Sequence, residues 1–160
     1  MGTIKGKIKA ISVSKEKGTQ KSNVPSAELK MDFGIEGDAH GGDWHRQVSL
    51  LAIESIDKMI AKGAKVAPGN FAENITTEGL QLTTLRMGSK LRLGDMEGDG
   101  AEIEITQFGK ECHSRCAIFE QIGDCIMPRE GVFAKVISSG TIKVGDIMEV
   151  FDDQGCDIDS

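Results

Sequence analysis

Thirteen residues, Gly34 to Arg46, hold four glycines, three acids, two histidines, the chain's only Trp and an Arg. Glycines let a backbone approach a ligand closely and turn N–H groups toward an anion. Asp38, His40, Asp43 and His45 are also of the types that ligate a divalent metal. The plain alternative is a polar turn whose His and Asp side chains are solvated, and spacing alone leaves all three readings open. No HExxH pair, Walker-type loop or dinucleotide-binding glycine pattern occurs anywhere in the chain.

A second cluster runs Thr106-Gln107-Phe108-Gly109-Lys110-Glu111-Cys112-His113-Ser114-Arg115-Cys116, with Cys125 nine residues on. Lys110, His113 and Arg115 place positive charge beside Cys112. Positive surroundings favour thiolate, the form that ligates metal or attacks sulfur and carbon. Three readings compete: a Cys/His zinc site, which lacks the second paired knuckle; buried inert thiols; and a soft-ligand or nucleophilic site centred on one Cys. Position favours Cys112 as the functional thiol, because it opens a loop after the Ala101–Thr106 strand. Cys116 and Cys125 stand in apolar runs and are expected to pack, and Cys156 falls in an acidic tail.

A third stretch, Ala67-Pro68-Gly69-Asn70-Phe71-Ala72-Glu73-Asn74-Ile75-Thr76, puts a turn ahead of an acid and an amide at the mouth of a strand. Met127-Pro128-Arg129-Glu130-Gly131 is a similar fixed turn, whose Arg suits an oxyanion.

The elements that must position these residues are mostly strands. Twenty glycines in 160 residues fall between short apolar runs, the punctuation of short strands and tight turns. Ile4 to Val13 and Ala27 to Phe33 alternate as half-buried strands do. Gln47 to Leu51 reads as a strand leading into a helix over about 51–62, packed through Ile53, Ile56 and Ile60, with Gly63 as its cap. A shorter helix is expected from Cys116 to Ile122. Gly88 to Asp95 echoes Gly140 to Asp146, each a short alternating strand closed by Gly-Asp, and barrels reuse such corners.

Composition bounds the rest. The 160 residues suit one domain, and 19 Lys+Arg against 25 Asp+Glu give −6. That sign argues against nucleic acid and against an anionic membrane surface. No apolar run approaches a membrane span. Four cysteines without an export signal point to free thiols in the cytoplasm.

Taken together, the chain resembles a stand-alone MOSC domain, the module named after the C-terminal part of molybdenum-cofactor sulfurase. Gly34-Ile35-Glu36-Gly37-Asp38-Ala39-His40-Gly41-Gly42, followed by Arg46-Gln47-Val48-Ser49-Leu50, is similar to the family's first motif. Pro68-Gly69-Asn70-Phe71-Ala72-Glu73-Asn74-Ile75-Thr76 through Leu80 resembles its second, and Gly88 to Asp95 and Thr106 to Cys112 complete the order. The resemblance spans residues 3–150 and leaves 151–160 as an acidic tail.

It implies a mainly β fold, a closed or nearly closed antiparallel β-barrel of pyruvate-kinase-barrel type with a few short helices. It further implies binding of molybdenum cofactor (molybdopterin). In the hydroxylaminopurine reductases and the mitochondrial amidoxime-reducing component a Cys of this region ligates the metal. That role carries over to Cys112, with Cys116 as the rival. Gly41, Gly42, His45 and Arg46, then Arg129, are the implied holders of the pterin phosphate. Asp38 and Glu73 are implied orienters or pterin partners, and Asp38, His40, His45, Arg46, Glu73, Asn74 and Cys112 are expected to converge on one cleft.

Two functions follow from the resemblance. One is reduction of N-hydroxylated compounds, or sulfur transfer, through the Cys112 thiolate. The alternative is a non-catalytic molybdopterin or molybdate carrier or sensor in cofactor biosynthesis. Partners are then cofactor-biosynthesis proteins or molybdoenzymes, and a reductase would need an electron-donor protein. Pyridoxal phosphate is not expected within these residues.

Overall fold

Lys5, Lys7 and Lys9 are exposed while Ile8 and Ile11 are buried, and this alternation makes the first strand, β1 (Lys5–Val13). The computed structural model of the chain describes residues 5–14, 22–38, 42, 47–63, 65–68, 73–80, 82, 85, 87–94, 100–108 and 131–152. Beyond β1 these comprise β2 (Ser22–Val24), β3 (Ser26–Lys30), β4 (Gly34–Ile35), β5 (Val48–Ala52), α1 (Ile53–Ala61) and β6 (Ile75–Glu78). The strands β7 (Lys90–Leu93), β8 (Ala101–Phe108), β9 (Val132–Ser138), β10 (Gly140–Lys143) and β11 (Ile147–Asp152) complete them.

Seven strands close into a barrel in the order β1-β11-β7-β8-β9-β5-β6, the last pairing back onto β1. Its interior is one apolar cluster that includes Ile8, Leu50, Leu91, Ile103, Val136 and Met148, each at most 1% exposed. β2 extends the end of β1. A second sheet, β10-β3-β4, adds Leu29, Ile35 and Ile142 to the same core. The barrel is thus the expected fold, and among the described residues every strand pairing is antiparallel except β5–β6. Parallel neighbours need a crossover. Here α1 leaves β5 directly at Ile53, with no capping side chain on Ala52, and leads the chain back to β6.

The helix differs from expectation on one point. Ser55, Ile56 and Met59 are its buried residues, whereas Ile60 is 47% exposed. At about 100° per residue, Ser55, Met59 and Ile56 cover one ~100° stripe, and Ile60 lies about 40° beyond it. The packed face is therefore centred on Met59. Lys62 and Gly63 close the helix by donating to Met59 and Ile60 carbonyls, with Gly63 at φ +101°.

The alternating run from Ala27 is also shorter than its pattern suggests. β3 stops at Lys30, and Asp32, at φ +62°, turns the chain back into β4. Met31 and Phe33 are left exposed in that turn. The two Gly-Asp corners do turn as glycine corners, at Gly94 (φ +93°) and Gly145 (φ +96°). They also meet: Gly94 N–H donates to Ile147 O at 3.0 Å. The shorter helix expected at 116–122 lies outside the described residues, as does the tail after Asp152.

On the outer surface one row of charges runs in register across four strands: Lys5 opposite Glu149, Glu149 opposite Arg92, and Arg92 opposite Glu102. Arg92 Nε and Nη2 both donate to Glu102 Oε2, at 3.0 and 2.9 Å, and Lys5 lies 3.8 Å from Glu149. Such partly exposed pairs each contribute under ~1 kcal/mol. Their sign alternation penalises a slipped register, which would set like charges opposite one another. No helix among the described residues is long and apolar enough to cross a membrane.

Inside, Thr77 shares the inward face of β6 with Ile75 and is fully buried, and its Oγ1 has no hydrogen-bond partner among the described residues. Replacing it with the isosteric Val removes an unsatisfied hydroxyl. Thr77→Val is expected to raise stability by about 1 kcal/mol, seen as a Tm higher by roughly 2–4 °C.

Candidate functional site

The first motif segment begins in β4, and its Gly34 lies directly against Gln47, the residue that precedes β5. A Cβ on Gly34 would lie 2.7 Å from the Gln47 carbonyl oxygen, and Gly34 has φ +119°. Only glycine accepts both that backbone angle and that approach. Gln47, itself buried, accepts the Val136 N–H on Oε1 at 2.9 Å, so it is tied to β9. Gly34→Ala is expected to cost about 2–3 kcal/mol. Gly37→Ala, with φ +87° but nothing within 4 Å of the new Cβ, should cost nearer ~1 kcal/mol. Urea midpoints of the two variants check the difference.

Within that segment Asp38 is buried, 5% exposed, and its Oδ1 accepts the Ser14 N–H at 3.0 Å. The Asp38 N–H turns back to the Ile35 carbonyl at 3.1 Å, and the Glu36 N–H reaches the Glu28 carbonyl at 2.9 Å. Gly42 donates its N–H to Phe33 O at 2.7 Å. That N–H is therefore engaged inside the protein rather than presented to an anion.

The second motif segment is fixed from the same end of β1. Asn74 is fully buried. Its Oδ1 accepts the Ser49 N–H at 2.9 Å and the Ser49 hydroxyl at 3.1 Å. Its Nδ2 donates to the Ser12 carbonyl at 3.1 Å, and its own carbonyl accepts the Ser12 N–H at 2.7 Å. Glu73 is also fully buried, and its Oε2 accepts the Thr76 hydroxyl at 3.0 Å. Asn23 Nδ2 adds a brace, donating to Ser12 Oγ at 2.7 Å and to the Pro68 carbonyl at 3.0 Å.

Four of the site residues expected from the sequence are thus placed: Asp38, Gly42, Glu73 and Asn74. The structure brings Asp38 and Asn74 to one end of β1, attached at Ser14 and Ser12. His40, Gly41, His45, Arg46, Cys112 and Arg129 lie outside the described residues, as do Cys116 and Cys125. Among the described residues no group of three or more His, Cys, Asp or Glu is arranged to hold a metal ion.

The sequence reading missed Ser12, Ser14, Asn23 and Ser49. A signal for two of them was present. Ser49 interrupts a strand whose five residues are all buried, and Ser12 is fully buried beside Ile11. A buried hydroxyl in a strand requires a partner, and that partner is where a second segment attaches.

The described motif residues are bonded into the protein: Asp38 to Ser14, Asn74 to Ser12 and Ser49, and Glu73 to Thr76. In sequence, the first segment also carries His40, His45 and Arg46, and the Thr106–Cys116 stretch carries Cys112, His113 and Arg115. This donor set suits a phosphate together with a soft, sulfur-bound metal.

The comparisons with known proteins agree with this architecture. The model of the MOSC domain matches residues 36–149. No curated protein matches the sequence. Among solved structures, YuaD from Bacillus subtilis is 18% identical with a TM-score of 0.76, over 93% of this chain and 97% of that one. YiiM from Escherichia coli is 20% identical with a TM-score of 0.61, over 90% of this chain and 69% of that one. YiiM from Geobacillus stearothermophilus is 18% identical with a TM-score of 0.64, over 91% and 75%. At these identities the structures share the fold. The matched segment runs from the first motif into β11 and takes in both loops tied to the end of β1, so the chain belongs to the MOSC domain family.

Proposed function

We propose that this chain binds molybdenum cofactor and uses the Cys112 thiolate toward its metal, in reduction of N-hydroxylated compounds or in sulfur transfer. Membership of a family associated with that cofactor supports the reading. The observation that carries it is the joint anchoring of the two motif segments, through Asp38 and Asn74, on one end of β1. Two loops mounted on one rim can serve a single ligand, and ligand sites gather on loops held by a rigid scaffold.

The cofactor supplies a redox-active metal held by dithiolene sulfur. The chain's own residues then have distinct tasks. Cys112, flanked by Lys110, His113 and Arg115, offers a thiolate, a soft donor matched to that metal. His45 and Arg46, with Gly41 and Arg129, hold the terminal phosphate by charge-assisted hydrogen bonds. Gly42 contributes by its missing side chain, since its N–H is bound to Phe33. Asp38, Glu73 and Asn74 support the loops from beneath. Net reduction of an N-hydroxyl compound consumes two electrons and two protons and releases water, so the reductase reading requires a donor protein as partner.

The test is molybdenum and pterin content of protein purified from a host that makes the cofactor, followed by reduction of an N-hydroxylated base with an artificial electron donor. Bound cofactor with turnover supports the reductase. Protein that holds neither molybdenum nor pterin overturns the reading.

A further inference from the structure

We infer that Asn74 is the positioning residue of the site, joining the segment that carries Asp38 to the segment that carries Glu73 across the end of β1, without itself touching ligand. The inference deepens the proposed function and rests on it for the identity of the ligand only.

Full burial leaves Asn74 no surface to present to a bound molecule. Its side chain is instead shared between two strands. Oδ1 takes two donors from Ser49 in β5, and Nδ2 reaches the Ser12 carbonyl in β1. β6, which lies between β5 and β1, begins only at Ile75. Asn74 therefore continues the sheet one residue ahead of β6, its side-chain amide adding bonds to both neighbouring strands. The backbone joins in, because the Asn74 N–H donates to the Ser49 carbonyl while the Ser12 N–H donates to the Asn74 carbonyl.

Two residues on from Ser12, just past the end of β1, the Ser14 N–H is held by Asp38. A bonded path thus runs from Ser49 through Asn74 and Ser12 to Ser14 and Asp38. A carboxylate at position 74 would keep the Ser49 bonds but set an oxygen against the Ser12 carbonyl. An alanine there would strand the Ser49 N–H in the interior.

The experiment is residue-resolved amide exchange on the full chain, comparing wild type with Ser49→Ala, Ser49→Thr and Asn74→Asp. The informative amide is Ser14, which bonds to Asp38 and not to Asn74. Ile105 and Gly94, bonded to Ser89 and Ile147 carbonyls, report on the barrel. A positioning role predicts Ser14 exchange faster by about tenfold in Ser49→Ala and Asn74→Asp, with Ile105 and Gly94 within about twofold of wild type. Ser49→Thr keeps the hydroxyl and should match wild type. Equal acceleration at all three amides in Ser49→Ala marks Asn74 as ordinary core support and overturns the inference. So does an unchanged Ser14. Titration with molybdopterin adds the functional arm: Kd raised about tenfold in Ser49→Ala and restored in Ser49→Thr. Wild type that fails to bind molybdopterin refutes the ligand assignment, while the exchange comparison still decides the positioning role.

Discussion

Ile56→Asp is expected to abolish the folded state. Ile56 is fully buried on the packed stripe of α1, which it shares with Ser55 and Met59 on the side facing β5 and β6. The substitution removes an apolar contact worth about 2–3 kcal/mol. It also puts a carboxylate at a fully buried position, which adds several kcal/mol more. Domains of this size have only about 5–15 kcal/mol of stability in total. The variant should lack the cooperative melt of the wild type by circular dichroism and should accumulate as insoluble protein. Ile60→Lys is the control. Ile60 is 47% exposed in the last turn, where a cation also suits the helix dipole. Its stability should stay within ~0.5 kcal/mol of wild type. A folded, two-state Ile56→Asp would mean that α1 does not seal the barrel.

The contrast between Ile56 and Ile60 shows what sequence pattern resolves and what it leaves to packing. Periodicity located the helix and its cap, because 3.6-residue spacing and a following glycine are local properties. It could not say which edge of the apolar stripe meets the sheet. The barrel was legible from short alternating strands and glycine corners, and Gly94 and Gly145 do turn there. The parallel β5–β6 pair was not, since an antiparallel and a parallel neighbour carry the same strand pattern. The difference lies in α1 beginning at Ile53 directly after β5.

The site was legible in a similar, partial way. Asp38 and Asn74 stood out as polar groups in glycine-rich stretches, and the structure places both at the end of β1. Their inward engagement was not legible, because the partners are distant in sequence: Ser14 lies 24 residues from Asp38, and Ser12 lies 62 from Asn74. Hydrogen bonds of that separation leave no local signature. Gly42 shows the same limit, for a glycine that looks ready to donate to an anion already donates to Phe33.

Cys112→Ser carries the other large expected effect. A serine hydroxyl is a harder donor, protonated at neutral pH, and lacks the thiolate's match to a sulfur-bound metal. The stem and its place in the chain stay the same, so the fold should be retained while metal retention falls more than about tenfold, a loss of roughly 1.4 kcal/mol or greater. Cys116→Ser and Cys125→Ser exchange thiols expected to pack, and their effect should fall on stability instead. Thiol alkylation at neutral pH should likewise be fastest at Cys112.

The most direct measurement is molybdenum per chain, with pterin measured alongside, in wild type and the three Cys→Ser variants purified in parallel from a cofactor-producing host. The account predicts molybdenum in wild type, Cys116→Ser and Cys125→Ser, and its loss in Cys112→Ser alone. Wild-type levels of molybdenum in Cys112→Ser, or none in the wild-type protein, would contradict it.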